Sequence, residues 1–161
     1  MYNFAPEGYK CPLCLTANGI ENEDTMAVKA DVVYQDDLVF AMVNSKFVGN
    51  NPGHVIIVPN DHYENIFDLP NHIGHRIFEL AKQVAIAMKA VRKCDGVMTF
   101  QNNGPASGQH AFHFHFHVLP RFADDKYNEN RSNARVATPE ERLPYANDLK
   151  QYFIENPIKL D

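Results

Sequence analysis

Phe112-His113-Phe114-His115-Phe116-His117-Val118-Leu119 alternates histidine with apolar residues until Leu119 stands where a fourth histidine would fall. A period of two is that of a β-strand, whose successive side chains point to opposite faces, so the three histidines share one face and the phenylalanines the other. At about 3.4 Å per residue, His113 and His117 lie roughly 13 Å apart with His115 midway between them. The phenylalanine face reads as core and the histidine face as a site. Two other readings exist. One is a solvated strand whose polar residues are histidines; the other is a metal site in which alternating imidazoles chelate a transition metal, as in cupins. The metal reading ranks lower, because Val118, Leu119, Pro120, Arg121 and Phe122 follow and no glutamate is among them.

Outward from this stretch, Val32–Tyr34, Leu38–Val43 and Val55–Val58 are short β-branched and apolar runs separated by turn residues, read as an antiparallel meander. Between Asn71 and Lys93, Ile73, Ile77, Leu80, Val84, Ala87, Met88 and Val91 recur at steps of three and four, the signature of one long amphipathic helix packed on the sheet. A strand over Val97–Gln101, a glycine-containing loop over Asn102–Gly108 and a strand from about Ala111 to Leu119 complete an α+β plan. Residues 122–138 read as a solvated loop. A C-terminal helix is expected from Pro139 through Phe153, with Thr138 as N-cap and Glu141 closing a capping box. Residues 1–30, broken by Pro6, Gly8, Pro12 and Gly19, are expected to hold little regular structure.

The chain has 161 residues, 45% hydrophobic and 22% charged, which suits one domain over residues 1–161 with a real core: an irregular amino terminus to residue 30 and a carboxy-terminal extension over 122–161. Fifteen basic against twenty acidic residues leave a net charge of −5, so no general positive field exists for a nucleic acid, and a phosphate ligand must be gripped locally. No apolar run reaches the ~18–20 residues of a membrane span, and the opening MYNFAPEGYKCPLC lacks the order of a signal peptide; the expectation is a cytoplasmic protein. There Cys11-x-x-Cys14 reads as a metal or redox pair rather than a disulfide. A local zinc finger would need a second ligand pair nearby, and none follows.

The histidine stretch resembles the hallmark of the histidine triad family of nucleotide hydrolases and transferases. Asn102-Asn103-Gly104 with Gly108-Gln109 resembles that family's loop before the triad, and Pro52-Gly53-His54-Val55-Ile56-Ile57-Val58-Pro59 its upstream strand. The resemblance covers roughly residues 32–121. It implies an α+β fold with an antiparallel sheet, a homodimer, and a site for the base, ribose and α-phosphate of a purine nucleotide, with Asn44 at the ribose.

A neutral imidazole is a competent nucleophile near pH 7, and its neighbours can donate protons to phosphate oxygens. His115, flanked on both sides, is read as the nucleophile, a role the resemblance also implies for the middle histidine. His117 becomes a donor to phosphate or leaving group, and by resemblance His54 joins as a fourth imidazole. Gln109 and Asn102 are read as neutral donors to phosphate, with Gly104, Ser107 and Gly108 small enough for backbone N–H groups to approach it. His110 stands where the hydrolase branches hold a small hydroxyl residue; it supplies a further proton donor or faces solvent. One branch of the family carries an amino-terminal Cys-x-x-Cys whose zinc is completed by two histidines, which in this sequence are His62 and His113. Zinc and substrate thus compete for His113, and zinc is favoured, with the His113 carbonyl left to orient His115. His72, His75 and Cys94 are read as surface, cap and buried-thiol residues. The expected reaction is hydrolysis at the α-phosphate of a dinucleoside polyphosphate or nucleoside phosphoramidate. The alternatives are transfer to phosphate or another acceptor, and nucleotide binding without turnover.

Overall fold

The computed structural model of the protein describes residues 3–159. Among them are strands β1 (Val32–Gln35), β2 (Val39–Val43), β3 (Lys46–Phe47), β4 (Val55–Pro59), β5 (Gly96–Gln101), β6 (Phe116–Arg121) and β7 (Arg135–Val136). The helices are α1 (Pro12–Ala17), α2 (Asn71–Arg92), α3 (Tyr127–Asn130) and α4 (Pro139–Glu155). Five strands form one antiparallel sheet in the order β1-β2-β4-β6-β5, so the fold is α+β. The meander holds, with one detour: β3 leaves the sheet and pairs with β7.

Both faces of the sheet are covered, which is why β2 and β4 read as unbroken apolar runs and are buried at every position. Val39, Ala41, Val43, Val55, Ile57 and Val118 meet Ile77, Leu80, Val84 and Met88 of α2. The alternate residues Phe40, Met42, Ile56 and Val58 turn to the other face and pack with Leu13 and Ala27 from the amino-terminal segment. Helix α2 ends at Lys93, whose left-handed φ of 49° breaks the helical ladder. In α4 the capping box is present: Thr138 accepts from the Glu141 N–H, and the Glu141 carboxylate accepts from the Thr138 N–H. No helix among the described residues is long and apolar enough to cross a membrane.

Three expectations need correction. The amino terminus is not wholly irregular, because Pro12 pre-sets the first turn of α1 and the Cys11 sulfur caps the Cys14 N–H at 3.4 Å. The histidine strand begins at Phe116 instead of Ala111. Before it, the Phe114 N–H donates to the Tyr63 carbonyl at 2.6 Å and the Phe112 N–H to the Tyr9 hydroxyl at 3.1 Å, so this stretch is held by loops and lacks a strand's partner. Of the phenylalanines, Phe114 is core, Phe116 packs beside it, and Phe112 instead meets Tyr9 edge to face. Finally, residues 122–138 are not all solvated: Tyr127 and Asp125 are buried, with Asp125 accepting from Arg121, Asn51 and the N–H groups of Phe122 and Tyr127.

Helix α4 is fastened by a buried pair, in which Arg142 Nε and Nη2 donate to Asp31 at 2.9 and 2.8 Å and both side chains are 1% exposed. Arg142 also donates to the Ala137 carbonyl. Removing one member of such a pair leaves the other charged and desolvated. Asp31→Ala is therefore expected to lower stability by about 3–5 kcal/mol, read from urea unfolding midpoints.

Candidate active site and metal centre

The α2-distal face of the sheet carries the site. Strand register puts His117 between Ile56 on β4 and Phe100 on β5, and Phe100 stacks on the His117 ring at 4.2 Å with 8° between planes. Beyond the paired Val43 and Val55, the Asn44 N–H donates to the His54 carbonyl at 2.8 Å, which places these residues side by side at the ends of β2 and β4. The His54 Nε2 lies 2.9 Å from His117 Nδ1 and 3.1 Å from Asn44 Nδ2. The His115 and His117 rings meet edge on, 4.8 Å between centroids. Each of these three histidines is 8% exposed or less.

Gly53 is required at the turn before His54. Its φ is +75°, and a Cβ there would strike the Arg92 guanidinium and come within 2.6 Å of the Tyr145 ring.

Burial sets the charge state. It lowers His54 from 6.5 to about 3, with His115 adding repulsion. Burial lowers His115 too, opposed by its bond to the His113 carbonyl, and His117 falls well below its ordinary value by burial and the neighbouring imidazoles. The His115 Nδ1–H donates to the His113 carbonyl at 2.7 Å, so its one proton is fixed there and its Nε2 carries a free lone pair.

The loop before the triad is organised by its own bonds. Gln109, 2% exposed, accepts the Gly104 N–H at 2.7 Å and donates both amide hydrogens, to the carbonyls of Glu64 at 2.6 Å and Ala111 at 3.1 Å. Nothing is left over to donate to a phosphate. The N–H groups of Ser107, Gly108 and Gln109 are likewise used on the Gly104 and Pro105 carbonyls, and the Ser107 hydroxyl on those of Asn103 and Gly104, so these groups form no free backbone nest. Asn102, next along the register that pairs Gln101 with Phe116, lies opposite His115 with its amide near Gly108. His110 is exposed and close enough to act on His115 electrostatically. His72 and His75 are exposed on α2, and Cys94 is buried.

Phe100 and Glu64 escaped the sequence reading. Phe100 sits in the expected strand over Val97–Gln101, where period two puts it on the same face as Met98 and pairing with the triad would have singled it out. Glu64, which accepts from the Phe4 and Ala5 N–H groups while its carbonyl holds Gln109, carried no sequence signal.

A second cluster adjoins the first. Cys11 Sγ lies 3.3 Å from His113 Nδ1, Cys14 Sγ 3.3 Å from His62 Nδ1 and 3.4 Å from His113 Nδ1, and all four ligand atoms fall within 4.8 Å of one another. A tetrahedral ion with bonds of about 2.3 Å to sulfur and 2.0–2.1 Å to nitrogen needs sulfur–nitrogen edges of about 3.6 Å, which this cluster meets closely. The His113 Nε2–H donates to the Pro59 carbonyl at 3.0 Å, leaving Nδ1 bare toward the sulfurs, the tautomer a metal requires. Burial, together with Cys11, pushes the Cys14 thiol up to about 12, a penalty on the thiolate that a cation offsets.

Fold and geometry agree with sequence kinship. The HIT domain family matches residues 25–124, and the chain belongs to that family. A relative from Borreliella burgdorferi, an uncharacterized HIT-like protein, is 32% identical over 130 residues, covering 78% of this chain and 85% of its own. The bis(5'-adenosyl)-triphosphatase of Dictyostelium discoideum is 26% identical over 137 residues, covering 81% and 91%. Among solved structures, a Zn-bound histidine triad family protein from Mycobacterium smegmatis superposes with a TM-score of 0.73 at 21% identity, over 91% of this chain and 95% of that one.

The buried neutral histidines make stability depend on pH. Above about pH 7, His54 is neutral whether folded or not; below its ordinary 6.5, the unfolded chain binds a proton that the folded state refuses until about pH 3. Stability should fall with acid over that window, by about 1.4 kcal/mol per pH unit for each such histidine. Urea titrations at pH 7, 6 and 5 test this, and His54→Gln should make the decline shallower.

Proposed function

We propose that the chain is a nucleotide hydrolase that cleaves at the α-phosphate of a purine nucleotide conjugate, either a dinucleoside polyphosphate or a nucleoside phosphoramidate. The observation that carries this reading is His115: neutral, nearly buried, with Nδ1–H committed to a carbonyl and Nε2 free. Attack by that lone pair forms a phosphorus–nitrogen bond while the bond to the leaving group breaks, and the departing oxygen or nitrogen leaves with a proton that His117 Nε2 has first taken up from solvent. Water then displaces His115 and returns a proton to His117. His54 supports His117 from behind. Asn44 keeps an amide oxygen free for a ribose hydroxyl, while Asn102, Ser107, Gly108 and His110 sit on the loop side where the phosphates and leaving group would lie. Gln109 serves by holding that loop. The name of the Dictyostelium relative supports an adenosine polyphosphate as substrate.

Cys11, Cys14, His62 and His113 would hold a structural zinc, whose closed four-ligand shell binds the amino terminus to the sheet and supplies no open coordination position. Free thiols at Cys11 and Cys14 suit a cytoplasmic location. A homodimer belongs to the same reading, and β5, at the edge of the sheet, offers backbone groups for pairing with a second copy. Sedimentation at micromolar concentration should give twice the monomer mass.

Incubation with diadenosine tetraphosphate and with an adenosine phosphoramidate, with and without inorganic phosphate, separates hydrolysis, phosphorolysis and mere binding by the products formed. His115→Ala should cut turnover at least about a thousandfold while nucleotide still binds. Phosphoramidate hydrolysis should proceed without magnesium, since the groups around His115 are imidazoles and amides rather than the carboxylates that hold that ion. Cys14→Ser should release the zinc expected at about one per chain, checked by metal analysis.

A further inference from the structure

We propose that Asn44 is a positioning residue: by donating to His54 it forces the His117 proton onto Nδ1 and leaves His117 Nε2 bare for proton exchange with the substrate. The count of protons in this cluster fixes the tautomer. His54 and His117 are both buried and neutral, so each ring carries one hydrogen. The 2.9 Å contact between His54 Nε2 and His117 Nδ1 requires one hydrogen between them. Asn44 Nδ2, at 3.1 Å, aims a donor at the same His54 nitrogen. That nitrogen must then accept. The His54 hydrogen is displaced to Nδ1, and the hydrogen in the His54–His117 contact belongs to His117.

The buried His54 Nδ1 has no hydrogen-bond partner. A ring left to itself would place a bare lone pair there, because orphaned buried N–H groups are rarer than orphaned acceptors. The costlier tautomer therefore has to be imposed from outside, and Asn44 is the group placed to do so. The result at His117 is that of a catalytic histidine held by an acceptor behind it, Nδ1–H engaged and Nε2 free. His115 is held in the same tautomer by the His113 carbonyl. Both rings then present lone pairs to one substrate, one for phosphorus and one that relays a proton between solvent and the leaving group.

Asn44 Oδ1 has no partner among the described residues, so a sugar hydroxyl that donates to it holds the amide in the orientation that serves His54. Ribose binding and proton placement use the two ends of one amide, and the contact to His54 is made with no sugar bound, so loss of the donor end slows kcat for any nucleotide. This kinetic consequence rests on the reaction proposed above; the tautomer itself does not.

The test is a two-bond proton–nitrogen correlation spectrum of protein carrying ¹⁵N-histidine, with His117 assigned through His117→Gln. The parent should show pyrrole-type Nδ1 and pyridine-type Nε2 at His117. Asn44→Asp, whose carboxylate only accepts, and Asn44→Leu, which does neither, should both move the His117 hydrogen to Nε2, while an unchanged His115 signal reports that the variant is folded. In both, kcat should fall by about a hundredfold with a smaller change in KM, for adenosine and 2',3'-dideoxyadenosine substrates alike. An unchanged His117 tautomer in the folded variants overturns the proposal, as does a loss confined to substrates that carry ribose hydroxyls. A parent that hydrolyses no nucleotide, yet shows the expected tautomer and its swap, refutes the reaction and leaves the role of Asn44 standing.

Discussion

His113 makes three contacts on which the rest of the site depends. Its Nδ1 faces two sulfurs, its Nε2–H is fixed to the Pro59 carbonyl, and its own backbone carbonyl holds His115 Nδ1. A single residue thus joins the metal cluster, the end of β4 and the candidate nucleophile. Since the ring is fully buried and its pKa is lowered to about 3 by burial and by His62, it stays unprotonated at neutral pH. The cysteines and the carbonyl that orients His115 are thus contacts of one fixed residue.

This explains why the amino-terminal segment matters to a site built on the other side of the chain's order. Leu13 packs under the sheet, Tyr9 holds Phe112, and Phe4 lies against Gly104. Glu64 fastens the strap at its start and, through its carbonyl, the Gln109 amide. The loop and the stretch before β6 lack the ladder of a strand, so side chains and the strap supply the order that backbone pairing supplies elsewhere.

Much of this was legible in the sequence because it rests on periodicity or local chemistry. The steps of three and four that mark α2, the apolar runs of β2 and β4, and the Thr138–Glu141 box all act over a few residues. The histidine alternation was legible as a site yet misleading as geometry. Period two describes side chains on a regular strand, and only from Phe116 onward does the chain have strand partners on both sides. The role of Gln109 was unreadable because it depends on Glu64, which is distant in sequence and close only in the fold. Asp125 looked like one acid in a polar loop; Arg121 and Asn51 make it a buried hub with a carboxyl held far below its usual range. The Cys2His2 cluster became legible through family resemblance, since 48 residues separate Cys14 from His62 and 102 separate Cys11 from His113.

The Asp31–Arg142 pair joins residues 111 apart in the chain. During synthesis the aspartate leaves the ribosome long before its arginine exists, so for most of translation a group destined for the interior has no counter-charge. The sheet's first strand, which follows Asp31 directly, cannot reach its final environment until α4 has emerged. Assembly is therefore completed from the carboxy-terminal end, although the histidines of the candidate site have already been synthesised.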